Sequence, residues 1–147
     1  MNEKRWSQSE RQKDWEQELQ EKQVTADAVA RAIGQGGKVL VELAQKVGSM
    51  VKKNGLTTSQ IRNAYGLVKR MEIAGFVAHE LALLKPKLAY AAARAAKGER
   101  GKADGAHQLA AVLSWGVDAV GEDAARFSRF VDLFEAILAY HLAEGGK

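Results

Sequence analysis

The chain has 147 residues, with 22 Lys and Arg against 18 Asp and Glu, and it contains no cysteine. The missing cysteines exclude a disulfide framework, a thiolate metal site and a cysteine nucleophile. No apolar run approaches the ~20 residues of a membrane span, and the polar, acid-containing first residues do not resemble a targeting segment. We therefore expect a soluble, cytoplasmic protein that does not enter a membrane.

The positive charge is concentrated in the middle of the chain. Residues 38–102 contain thirteen Lys and Arg but four Asp and Glu, a net charge of +9. Residues 1–37 carry −1 and residues 103–147 carry −4. A basic block on amphipathic helical sequence favours a protein that binds a polyanion, above all nucleic acid.

The composition predicts an all-α fold. Ala, Leu, Lys, Glu and Gln dominate, Pro occurs once, and alternating β-branched residues are absent. Residues 1–23 are charged and Gln-rich, with Trp6 and Trp15 as their large aromatic residues, which predicts a mobile or marginally helical charged arm. Residues 24–147 are expected to form a single domain, a compact bundle of five to six helices.

The first predicted helices of the bundle are bounded by glycines and a capping motif. A short helix over 25–33 ends at the glycines of 34–37, and a second helix covers about 38–54. The third begins at LTTSQI, where Thr57 can cap the helix, Gln60 can reach back and Leu56 can pack on Ile61. Its expected inward face consists of Ile61, Tyr65, Val68, Glu72 and Phe76.

Three further helices complete the predicted bundle. Pro86 is expected at the first position of a helix that ends near Gly98, because its fixed φ suits a helix start. A loop follows, and the last two helices cover about 107–120 and 123–142.

No group of residues resembles a catalytic or metal-binding centre. The segment GQGGK at 34–38 lacks both the Ser or Thr and the preceding strand of a phosphate-binding loop. His79, His107 and His141 are isolated, and His141 lies on an apolar helix face, where a hydrogen-bonded core residue is expected. The acidic pairs at helical spacing lie on polar faces. We therefore expect no enzyme activity, no cofactor and no metal.

The basic residues occupy ordered positions on two predicted helices. On the third helix, Arg62, Gly66 and Lys69 form one line at 100° per residue. Gly66 either lets a sugar-phosphate backbone approach or lets another helix pack closely. On the next helix Lys87, Tyr90, Arg94 and Lys97 share a face, which suits backbone contacts with base stacking.

Three segments resemble a known family. LTTSQIRNAYGLVKRME (56–72), LLKPKLAYAAAR (83–94) and FVDLFEAILAYH (130–141) are similar, in this order and spacing, to motifs of the small subunit of the type III-A CRISPR effector, the Csm complex. Ala93 stands where glycine is common, and Leu138 replaces a usual β-branched residue. The resemblance covers about residues 50–142.

The resemblance implies a non-catalytic helical subunit that stacks in a short filament and supports the guide–target RNA duplex. Its partners would be guide RNA, target RNA, the other Csm subunits and further copies of itself. The motif cations are Arg62, Lys85, Lys87 and Arg94, and the helix geometry adds others. The full set of candidate RNA-binding residues is Lys52, Lys53, Arg62, Lys69, Arg70, Lys85, Lys87, Tyr90, Arg94 and Lys97.

Two rival functions and one assembly hypothesis accompany this interpretation. NGLTTSQIRNAYGLVKR is also compatible with a helix-turn-helix DNA-binding regulator that presents Thr58, Ser59 and Arg62 to the major groove. A pure protein-interaction bundle is the third possibility. If copies stack head to tail, two different faces must be complementary, and the acidic residues Asp118 and Glu122 are candidates for one of them.

Overall fold

The computed structural model describes residues 8–98 and 103–145, with side chains for 14–96 and 103–145. Within these residues every regular element is helical. None of the described helices is long and apolar enough to cross a membrane. The described residues form these helices: α1 (Gln8–Glu21), α2 (Ala26–Gln35), α3 (Gly37–Lys53), α4 (Thr58–Ala74), α5 (Ala78–Ala82), α6 (Leu84–Gly98), α7 (Asp104–Val120) and α8 (Ala124–Ala143).

The all-α class is therefore correct. The described part of residues 24–147 holds seven helices, α2–α8, against the five to six expected, and the additional one is α5, a helix of five residues. α1 lies inside the predicted arm. The other six lie where the sequence predicts helices, with shifted ends.

Two helix starts differ from the prediction. Pro86 is the third residue of α6, not the first, because α6 begins at Leu84, which is fully buried. Proline is tolerated there since the N–H groups of a first turn have no partner within the helix. α7 begins at Asp104, inside the predicted loop. A Cβ on Gly105 would lie 2.6 Å from the Val51 carbonyl oxygen, so only glycine lets the start of α7 approach α3 this closely.

The core is built around α8, whose fully buried side chains include Phe130, Phe134 and Ile137. α3 packs closely against it, because a Cβ on Gly48 would lie 2.8 Å from the carbonyl oxygen of Ile137. Burial of side chains of this size contributes about 1.5–3 kcal/mol each to stability.

α1 is packed on the bundle by a thin apolar edge and a polar cluster. Leu19 is only 2% exposed, and the ring of Trp15 stacks on His107 with centroids 5.3 Å apart. The carboxylate of Glu18 accepts hydrogen bonds from Lys53, Asn54 and buried Gln108. Residues 14–21 therefore belong to a helix packed on the bundle, through polar contacts that a count of apolar residues does not detect, where the sequence predicted a mobile or marginally helical arm. Residues 1–7 lie outside the described residues, and the domain boundary at 23/24 stays a prediction.

Candidate nucleic-acid interface

The predicted capping motif fixes the start of α4. The Thr57 hydroxyl accepts from the Gln60 amide at 3.1 Å, and the Gln60 side chain accepts from the Thr57 amide at 2.9 Å, which completes the capping box. Leu56 and Ile61 are both buried, as predicted. His141 of α8 is fully buried, and its Nε2 donates to the carbonyl oxygen of Leu56 at 2.7 Å, so the predicted core histidine is confirmed.

α4 and α6 are held by different neighbours. α4 packs on α8 through Tyr65, whose ring meets Phe134 edge-on with centroids 5.3 Å apart. α6 packs on α7, where the ammonium of Lys85 lies 2.7 Å from the carboxylate of Asp118. A groove of about 750 Å³ lies between α4 and α6, which form its two walls, and part of α7 forms its floor. Because α4 packs on α8 and α6 packs on α7, the position of each wall is fixed by a different helix.

Four of the predicted site residues line this groove: Arg62 and Arg70 on α4, and Lys87 and Arg94 on α6. We call it the basic groove. None of the described residues that line it is acidic. Within the described part of the chain, none of the four cations has a hydrogen bond or ion pair to a carboxylate. Their charge is therefore available to a ligand.

The groove has a defined length. α6 runs antiparallel to α7, because Lys85 meets Asp118 near the end of α7 while Ala95 lines the groove with Ala106 near its start. At 1.5 Å per residue, Arg62 and Arg70 are about 12 Å apart along α4, and Lys87 and Arg94 about 10 Å apart along α6. The cations thus mark both ends of each wall.

Three other predicted cations are engaged within the protein. Lys53 pairs with Glu18 at 2.9 Å, and Lys85 pairs with Asp118. Lys69 lies 2.6 Å from Glu72 one turn along α4, and this hydrogen bond raises the pKa of Lys69. Of the line predicted along α4, Arg62 and Gly66 line the groove and Lys69 does not, while Arg70, also a candidate, does; RNA binding by these residues stays a prediction.

The expected inward face of α4 also needs correction at its end. Glu72 is at the surface, paired with Lys69, because a carboxylate with that partner gains nothing from burial. Phe76 lies beyond the end of α4, and its ring stacks on Phe127 with centroids 4.8 Å apart. The helix ends early because Gly75, with φ +100°, turns the chain.

Gly66 lies in the wall of the basic groove, and its two possible roles can now be separated. A Cβ there would meet only the guanidinium of Arg70, at 3.7 Å, and no atom of another described helix within 4 Å. Close packing of another helix is therefore excluded within the described part of the chain. The missing side chain leaves the groove wall open beside Arg62 and Arg70.

The remaining candidates fall outside the groove or outside the described side chains. Tyr90 is 66% exposed on α6, with the Arg94 guanidinium 5.9 Å from its ring centroid. Lys52 lies in the last turn of α3, away from the groove lining, and the side chain of Lys97 is outside the described ones. Gln60 and Asn63 line the groove but were not predicted, although the spacing of seven residues to Arg70 places Asn63 on the same face of α4.

The described residues contain no cluster of His, Asp or Glu that could hold a metal ion. His107 stacks on Trp15, and its burial lowers its pKa, against the opposing effect of nearby Asp104. Its role is therefore structural in this arrangement.

Fold and groove together define the class: a small all-helical protein with a preformed basic groove. The family model described as Csm2 Type III-A matches residues 34–147, and the chain belongs to this family, that of the small structural subunit of the type III-A CRISPR effector complex. No curated protein and no solved structure matches the chain. The match includes all four groove cations, and it gives no support to a DNA-binding regulator.

Proposed function

We propose that this protein is a non-catalytic, RNA-binding subunit of a type III-A ribonucleoprotein that contacts the RNA backbone through the basic groove. The observation that carries the proposal is the convergence on one groove of four cations that have no carboxylate partner in the described part of the chain, with no carboxylate in the described lining. Cations so placed bind phosphates, and such contacts carry no base information. That suits a complex in which base pairing between guide and target supplies the specificity.

The protein itself has no catalytic role in this proposal. The sequence offers no cysteine, no phosphate-binding loop and no paired base for a nucleophile. Purified protein is expected to leave RNA uncleaved. RNA cleavage that disappears when one of its own carboxylates is replaced would contradict this part of the proposal.

Stacking of copies is the second part of the proposal. A head-to-tail contact joins two different faces, so each molecule needs a complementary pair of surfaces. Asp118 is already engaged by Lys85, which leaves Glu122 as the available acid of the two that the sequence suggested. Ile73 is 82% exposed and Val77 52% exposed, an apolar surface of the kind that a neighbouring subunit covers.

The RNA contact is tested by replacing Arg62 and Arg94 together with alanine in the full chain. We expect weaker binding to RNA of any sequence and a log–log salt slope smaller by about 1.4 to 1.8, because each lost phosphate contact removes about 0.7 to 0.9. Unchanged affinity and slope would show that the groove does not bind RNA. Co-purification from the native cell, with sequencing of bound RNA, tests whether the RNA includes a guide repeat.

A further inference from the structure

The floor of the basic groove is apolar, and contacts between phosphates and the four cations do not cover this floor. Between the cationic walls, three helices contribute small and aliphatic side chains. The floor residues that are exposed or half-buried are Ala64 and Leu67 of α4, Ala91 of α6, and Ala106 and Ala110 of α7, whereas Leu88, Ala92, Ala95 and Leu109 also line the groove but are buried. Phosphates stay at the rim, since burying a charge against apolar side chains is costly. We therefore expect the ligand that binds the cations to have an apolar surface that contacts the floor.

Duplex and single-stranded RNA differ in what they bring to such a groove. In an A-form duplex the base faces are stacked inside the helix, so phosphates, riboses and base edges form its surface. An unpaired strand has free base faces, and proteins that hold single strands combine a cationic groove with surfaces on which the bases stack. The small side chains of the floor, with Ala91 exposed and Ala64, Ala106 and Ala110 half-buried, leave space in which a base can lie.

An exposed aromatic ring adds a second surface of the same kind. Tyr90 lies on α6 one residue from Ala91 of the floor, and it is 66% exposed. Arg94, which lines the groove, approaches this ring to 5.9 Å. An exposed tyrosine beside a phosphate-binding arginine is suited to stacking with a base of the same strand that lies outside the groove.

We propose that the basic groove holds an unpaired stretch of RNA, with phosphates on the four cations and bases or riboses against the apolar floor. The inference rests on the proposed RNA contact and specifies the form of the RNA. Gln60 and Asn63 are the uncharged polar side chains in the described lining, so they are the groups there that could hydrogen-bond to base edges. In the assembled effector, the groove then contacts RNA where pairing is interrupted.

The test compares an oligouridine of about 12 nucleotides with a duplex of the same length, both labelled, on the full chain. The variant Ala91→Phe fills the floor and leaves every cation in place. Ala93→Phe is the matched control, because Ala93 is exposed on the same helix and does not line the groove. We expect tighter binding of the single strand, about tenfold weaker binding in Ala91→Phe with an unchanged salt slope, and no change in Ala93→Phe.

A second pair of variants keeps the inference testable if Ala91→Phe does not fold correctly. Tyr90→Ala weakens binding of the single strand, and Tyr90→Phe restores it, since the ring and not the hydroxyl provides the stacking surface. Equal or tighter binding of the duplex, or equal binding by the Ala91 and Ala93 variants, overturns the inference while the proposed RNA contact stands. Loss of co-assembly with other subunits in Ala91→Phe, without a change in RNA affinity, overturns it in favour of a protein ligand. The Arg62 and Arg94 double variant separately decides whether RNA binds there at all.

Discussion

The ammonium nitrogen of Lys85 lies 2.7 Å from Oδ1 of Asp118 and thereby joins α6 to α7. Two residues further along α6, Lys87 lines the basic groove without a carboxylate partner in the described part of the chain. Two lysines from one short motif thus have different environments. The difference separates a cation that is paired between two helices from a cation that has no carboxylate partner in the described residues.

The first prediction compares these two lysines. Lys87→Ala is expected to weaken RNA binding and to reduce the log–log salt slope by about 0.7, because one phosphate contact is lost. Lys85→Ala is the matched control, and it should change RNA affinity much less, since the ammonium of Lys85 is already engaged by the carboxylate of Asp118. Titrations of labelled RNA at several salt concentrations measure both. Equal losses in the two variants would contradict the division into paired and available cations.

The second prediction concerns glycines within two helices. Gly66→Ala should raise the free energy of unfolding by about 0.5–1 kcal/mol, because alanine stabilises a helix and the new Cβ meets only the Arg70 guanidinium at 3.7 Å. The same variant should bind RNA less tightly, since the methyl group narrows the groove wall. In Gly48→Ala the Cβ would lie 2.8 Å from atoms of Ile137 and Tyr140, so stability should fall. Denaturant unfolding and RNA titration measure the two effects. Unchanged RNA affinity in Gly66→Ala would contradict the proposal that this glycine keeps the groove wall open for RNA.

The third prediction uses two isoleucines of α4. Ile61 is fully buried and Ile73 is 82% exposed. Ile61→Ala should cost about 2–5 kcal/mol through lost burial and the cavity left behind. Ile73→Ala should stay within about 0.5 kcal/mol. Chemical denaturation of the free protein is the measurement, and similar losses in both variants would mean that α4 is oriented differently from the structure.

The fourth prediction is that acid weakens the packing of α1. Burial raises the pKa of Glu18, but the hydrogen bonds from Lys53, Asn54 and Gln108 outweigh it, so the folded pKa lies below the ordinary 4.5. The pKa of His107 is also lowered, below 6.5, mainly by its burial. A lowered folded pKa stabilises the fold above the unfolded value, and this contribution is lost as pH falls through the folded pKa.

Stability should therefore decrease as pH falls below about 6.5 and decrease again below about 4.5. His107→Phe keeps a ring against Trp15 and should flatten the first decrease, whereas Glu18→Gln should flatten the second. Unfolding followed by Trp fluorescence over this pH range is the measurement. A His107→Phe profile identical to that of the unchanged protein would show that His107 is not the group responsible.

The fifth prediction concerns assembly. Glu122→Lys should reduce the number of copies incorporated into the effector complex, because it reverses the charge of the acid proposed to lie in the contact between copies. Folding should be unaffected, since Glu122 is exposed in the turn between α7 and α8. Glu42→Lys, exposed on α3, serves as the control. Unchanged stoichiometry in Glu122→Lys would exclude this face from the contact between copies.

The sequence by itself determined the features that depend on neighbouring residues. The helical class, the capping box of Thr57 and Gln60 and the buried position of His141 follow from composition, local hydrogen bonding and periodicity, which act within a few turns of chain. The three motifs also led to the family that the comparison with family models then showed.

Only the tertiary structure decided which charges remain available. In the sequence, the three paired lysines cannot be distinguished from the four groove cations, because helix periodicity predicts which face a residue occupies and not which residue it pairs with. The paired lysines are Lys53, Lys69 and Lys85, and the groove cations are Arg62, Arg70, Lys87 and Arg94. Two of the three engaged lysines pair with acids far along the chain, Glu18 and Asp118, and these pairs exist only after the helices pack. The groove also depends on tertiary packing, because α4 is held by α8 and α6 is held by α7. The open space between α4 and α6 follows from these two contacts, which no local sequence pattern predicts.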